Sequence, residues 1–110
     1  MIRDVPQMQL RLRRRHVSRG AVESAAAIGR ELAESIVEGR DDQRLTWQDD
    51  RTAVKVDSTS ALYAYPGMGA HDYDAVRRAF LGALEEVTGP HGWTRSDVPG
   101  LYRQTWQFRH

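Results

Sequence analysis

The residues His71-Asp72-Tyr73-Asp74 put two carboxylates and an imidazole side by side, a donor set that could hold a hard or borderline divalent cation. The same carboxylates also stand where a helix should begin. There they would cap free N–H groups and meet the positive end of the helix dipole with no metal involved. We adopt the second reading: no metal ligand, catalytic residue or cofactor is expected, and a metal-dependent hydrolase ranks third among functions. The remaining histidines, His16, His91 and His110, lack HxxxH or HExxH spacing. The chain has no cysteine, so thiolate nucleophiles and disulfides are excluded, and it has no G-x-S-x-G motif. Gly67-Met68-Gly69 has the outline of a phosphate cradle, but Asp72 and Asp74 would set negative charge where the phosphate must lie. No small-molecule substrate is evident.

The second concentration of chemistry is basic. Arg11, Arg13, Arg14 and Arg15, with His16 and Arg19, form a cluster whose guanidinium groups could neutralise phosphates or meet an acidic protein. The plainer alternative is a solvated strand edge, charged to prevent stray pairing. Residues 1–20 hold six arginines and one acid, a charge of +5, so residues 21–110 carry −4 of the net +1. Such polarity suits head-to-tail self-association as well as nucleic acid. Tyr63 and Tyr65 alternate as stacking residues on an RNA-binding sheet would, yet the first strand offers arginine instead of an aromatic ring, and the RNP signature is absent. Three Trp and four Tyr are ample for so small a domain, and aromatics and Arg are the types that carry protein interfaces. Arg11, Arg13, Arg14, Arg15, Arg19, Tyr63 and Tyr65 are therefore the expected partner-binding residues.

The elements that must position them follow from periodicity. A length of 110 residues suits one domain, with residues 1–17 as a basic N-terminal strand or arm. Over 7–13, Met8, Leu10 and Leu12 alternate with Gln9, Arg11 and Arg13, which predicts a half-buried strand. Ser18 offers an N-cap, and Ala21, Ala25, Ile28, Leu32 and Ile36 form the stripe of a helix from about Arg19 to Glu38, stopped by Gly39. Leu45 and Trp47 begin a strand, and Asp49-Asp50 marks a hairpin turn. Thr52 to Tyr65 reads as one long strand or as two split at Ser58-Thr59-Ser60, a choice the alternation leaves open. Asp72 should cap a second helix with the stripe Val76, Ala79, Phe80, Ala83, Leu84 and Val87, ended by Gly89-Pro90. A closing hairpin joins Trp93–Ser96 to Leu101–Arg109 through a turn at Val98-Pro99-Gly100.

The expected order is β-α-β-β-(β)-α-β-β: an α+β, ferredoxin-like two-layer sandwich with two helices on one face of an antiparallel sheet. From residue 20 the order of elements resembles the tail-terminator proteins of long-tailed bacteriophages. The likeness is greatest around Leu62-Tyr63-Ala64-Tyr65-Pro66, Gly92-Trp93-Thr94-Arg95-Ser96-Asp97 and Trp106-Gln107-Phe108-Arg109. The resemblance implies a small subunit of a ring that caps a tail tube. The expected function is thus a non-enzymatic assembly subunit, homo-oligomeric, of tail-terminator or neck-ring type. A small nucleic-acid-binding domain using the Arg-rich segment is the alternative. No apolar run approaches the roughly 18 residues of a membrane span, so no membrane partner is expected. The expected location is the cytoplasm, or the virion if the resemblance holds.

Overall fold

The computed structural model describes residues 4–62, 69–96, 99–101 and 104–110, and side chains from residue 19 onward. Helix α1 spans Asp4–Glu38, and strands β1 (Leu45–Gln48) and β2 (Ala53–Asp57) form a hairpin. A short helix α2 (Thr59–Leu62) and helix α3 (Ala70–Thr88) follow, then β3 (Thr94–Ser96) and β4 (Thr105–Arg109). The fold is α+β, with one antiparallel four-stranded sheet in the order β1-β2-β4-β3.

The first expected strand is therefore wrong, and residues 7–13 belong to a 35-residue helix. Seven residues of Gln, Met, Leu and Arg alternate by type, but all four types are strong helix formers and none is β-branched. Leu10 and Val17 also lie seven and four residues apart on the way to Ala21, which continues the stripe at helical spacing. Ser18 is consequently interior to the helix and not its N-cap, and the described helix runs from Asp4. The element order loses its leading strand, and with it the β-α-β opening of a ferredoxin-like domain.

The C-terminal end of α1 is as expected. Gly39 has a φ of 68°, and the bonds Gly39 N to Ile36 O (3.1 Å) and Arg40 N to Ser35 O (2.8 Å) complete a Schellman cap. In the stripe, Ala21, Ala25, Leu32 and Ile36 are buried and Ile28 partly so. The α3 stripe buries Val76, Phe80, Ala83 and Leu84. Alternate positions of the sheet complete the core: Leu45 pairs with Val56, Val56 with Trp106, and Val54 with Phe108, all facing the helices. The opposite face carries Thr46, Gln48, Lys55, Gln107 and Ser96. There the small Ala53 lets the Gln107 amide reach across β2 to donate to Gln48 Oε1 (2.9 Å).

Of the segment read as one or two strands over 52–65, residues 53–57 form β2 and 59–62 a short helix, while 63–65 lie outside the described residues. Strand β2 stops at Asp57, whose Oδ1 accepts the Thr59 N–H (2.9 Å) and hydroxyl (2.6 Å), turning the chain into α2. Ala61 and Leu62 are both buried, an adjacent pair that alternation forbids and a helix allows. The Ser58 amide and hydroxyl anchor this corner on the Gln104 carbonyl. Helix α3 begins at Ala70 with Gly69 as N-cap, so Asp72 sits inside the first turn and not at the cap position. It still serves the helix start, because its carboxylate reaches back to accept the Gly69 N–H at 3.2 Å. Helix α3 ends at Thr88, and a 3-10 turn over Gly89–His91 leads to Gly92 at φ 88°. In the last hairpin Gly100 has the positive φ its turn requires (89°), while Asp97, Val98 and Tyr102 lie outside the described residues.

Candidate functional site

The expected partner-binding residues separate. Arg11, Arg13, Arg14 and Arg15 lie in α1, with their side chains outside the described set; Arg19 is exposed on the same helix. At about 100° per residue, positions 11–15 wind through slightly more than one turn. Positions 11, 13, 14 and 15 thus fall at several angles around the helix axis, where a strand would have put 11, 13 and 15 in one register. Tyr63 and Tyr65 lie outside the described residues. His71 is exposed at the start of α3, and Asp74 pairs loosely with Arg77 (3.8 Å), so the imidazole and the two carboxylates of residues 71–74 are spread over the first turn of a helix. Among the described residues no three His, Asp or Glu side chains converge.

The structure assembles a different surface at the opposite end of α1. Glu31, Glu34 and Glu38 fall at i, i+3 and i+7, all exposed. Beyond the cap come Asp41 and Asp42, and then Asp49 and Asp50 at the β1–β2 turn. Residues 31–51 hold seven acids against three arginines, a charge of −4, which is the whole acidic excess of residues 21–110. Each of the three arginines is already paired: Arg40 with Glu38 (2.6 Å), Arg51 with Asp41 (2.8 Å), and Arg44 with Asp42 (2.8 Å) and Glu31 (3.4 Å). Glu34 and Asp50 have no such partner among the described residues.

A cleft of about 400 Å³ opens at this end, lined by Val37, Glu38, Trp47, Arg51, Trp93 and His110 among others. Its floor is aromatic. Trp47 and Trp93 meet edge to face at 6.1 Å between centroids, and Trp93 meets His110 at 5.1 Å. One wall is built by an unusual turn, in which Asp49, Asp50 and Arg51 all have positive φ (52°, 54° and 67°). Aspartate tolerates that region, whereas arginine adopts it only under restraint. Arg51 is restrained by what its side chain reaches. It donates to Gly39 O (2.7 Å) and Asp41 Oδ1 (2.8 Å) and lies 5.1 Å from the Trp47 ring centre. Trp47 Nε1 donates to Arg40 O at 3.1 Å, so the hairpin and the helix end are tied together twice.

Within this corner Asp42 stays ionised well below the usual carboxylate range. Arg44 donates three times to the Asp42 carboxylate, through N (2.9 Å), Nε (2.9 Å) and Nη2 (2.8 Å). Its side-chain bonds hold the Asp42 pKa down to about 2 against the opposing effect of partial burial, and the carboxylate raises that of Arg44 in turn.

Sequence reasoning missed this surface. It counted the aromatics without placing them, and it read the acidic excess as spread over the body. A running charge sum, zero over 21–30, −4 over 31–51 and zero over 52–110, was the signal available. No protein-family model, curated protein or solved structure matches the chain.

Proposed function

We propose that the chain is a non-enzymatic assembly subunit that meets its neighbours through α1. The observation that carries this reading is the length of that helix, 35 residues against 19 for α3. At 1.5 Å per residue these come to about 52 Å and about 28 Å. The surplus exceeds what a two-layer core of this size uses, and it bears the arginine cluster. A two-layer α+β body with a protruding contact helix suits a ring subunit of tail-terminator or neck type, in the cytoplasm before assembly and in the virion after it. The helix-first order of elements supports that form. A nucleic-acid-binding domain is the second reading, favoured by one observation: arginine positions at several angles around a helix can meet phosphates from several sides.

Mass measurement in solution tests the first reading, which expects a defined oligomer. The second expects a monomer that retards labelled DNA or RNA. In that case replacing Arg11, Arg13, Arg14 and Arg15 by Gln lowers the log–log salt slope by roughly one per lost phosphate contact.

A further inference from the structure

We infer that the acidic end of α1, with the Trp47–Trp93 cleft beside it, is the docking surface for the arginine segment of a second copy of this chain. The inference rests on the assembly reading above and supplies its contact. Three observations carry it. The charge of the whole molecule is concentrated at two poles of one helix, +5 in residues 1–20 and −4 in residues 31–51, while the rest sums to zero. From Arg13 to Glu38 is 25 residues, about 38 Å of helix, several screening lengths at physiological salt. One rigid rod therefore holds the poles too far apart to satisfy each other within a copy, and a second copy brings them together.

The acidic pole is also built to receive arginine. Glu31, Glu34 and Glu38 share one exposed helix face, with side chains 65% exposed at Glu31 and 58% at Glu38. The local arginines are committed to their own acids, and the carbonyl end of the helix adds partial negative charge. The adjoining cleft shows how a guanidinium is held here, since Arg51 already lies over the Trp47 ring while bonding a carboxylate and a carbonyl. An incoming arginine finds Glu34 and Asp50 without an ion-pair partner among the described residues, and reaches Glu38 at the cleft only by exchange with Arg40. The contact is heterologous, basic pole to acidic pole, and closes into a ring where the rotation permits.

Charge reversal in complementary pairs tests the inference. A basic-pole variant (Arg11→Glu, Arg13→Glu, Arg14→Glu, Arg15→Glu) turns +5 into −3, and an acidic-pole variant (Glu31→Arg, Glu34→Arg, Glu38→Arg) turns −4 into +2. All three glutamates are exposed, and circular dichroism checks that each variant folds. Sedimentation velocity is run at about 50 mM and about 500 mM NaCl, where screening differs threefold. The wild type is expected to self-associate at low salt and less at high salt. Each variant alone is expected to associate about a hundredfold more weakly, because like charges face each other. An equal mixture restores association, since each variant then supplies the pole the other lost. Association that neither reversal weakens, or that mixing fails to restore, overturns this contact and leaves the assembly reading standing. A wild-type monomer at low salt and high concentration overturns both, and its retention of labelled DNA would assign the arginines to nucleic acid.

Discussion

Gly29→Ala should destabilise the protein, although the same change in an open helix would stabilise it. Gly29 lies in the C-terminal third of α1 where it packs against α3, and a Cβ built there would sit 2.7 Å from the Phe80 carbonyl oxygen and 3.0 Å from the Ala83 Cβ. Neither neighbour can swing aside, because one is backbone and the other has no rotamer. The two helices must then separate by several tenths of an ångström, loosening Leu32, Phe80 and Leu84, all completely buried. Overpacking of this kind costs about 1–3 kcal/mol, against a gain of about 1 kcal/mol in helix propensity. With a backbone atom as the obstacle the cost falls in the upper part of that range, about 2–3 kcal/mol, so the net loss should be about 1–2 kcal/mol, which lowers the melting temperature by about 4–9 °C in a domain of this size. Gly82→Ala is the control. It is exposed on α3 with nothing near its added Cβ, and should gain about 0.5–1 kcal/mol. Thermal and urea melts followed by circular dichroism give both numbers. A Gly29→Ala protein as stable as the wild type, beside a stabilised Gly82→Ala, would refute the close helix crossing on which this core depends.

Asp42 has a folded-state pKa of about 2, below its ordinary value of 3.8, so its contribution is complete above about pH 4 and lost as the pH falls toward 2. Partly exposed as the pair is, the loss should be about 1–2 kcal/mol, and Asp42→Asn should flatten that limb of a stability–pH curve. Arg51→Ala removes two hydrogen bonds and the cover of Trp47, and should cost about 1 kcal/mol. Arg51→Gly should cost less in the same melts, because glycine relieves the φ of 67°. Asp72→Ala should cost about 0.5–1 kcal/mol by freeing the Gly69 N–H. Mg²⁺, Mn²⁺ and Zn²⁺ should leave the wild-type melting temperature unchanged; a rise of several degrees that Asp72→Ala abolishes would restore the metal site.

The sequence displayed the core of this fold more clearly than its edges. Both helical stripes were legible because burial forced apolar residues onto a 3.6-residue period, and Ala21, Leu32, Phe80 and Leu84 are all in the core. Gly39 and Gly100 marked turns through a positive φ that few other residues adopt, and Gly89-Pro90 marked the end of α3 although Gly89 itself is right-handed helical. The failures at 7–13 and 59–62 share one cause. Alternation is a weak period over few residues, and it competes with local hydrogen bonding that the pattern does not contain. At Asp57 a single carboxylate bonded to Thr59 turned the chain against the alternation. At residues 7–13 helix propensity outweighed it.

The candidate surface was illegible for a different reason. Its parts come from α1, the β1–β2 turn, the Gly92 corner and the last strand, and they meet only because the sheet order places β4 between β2 and β3. Trp47, Arg51, Trp93 and His110 thus share a wall that no linear spacing could announce. The charge poles, by contrast, are linear features. Their meaning changed when residues 7–13 became helix, because a strand would have folded the basic segment back onto the sheet, near the acids of its own chain. One continuous helix holds it about 38 Å away. On the proposed contact, the same arginines, which a strand would have let neutralise their own domain, meet the acidic end of a second copy.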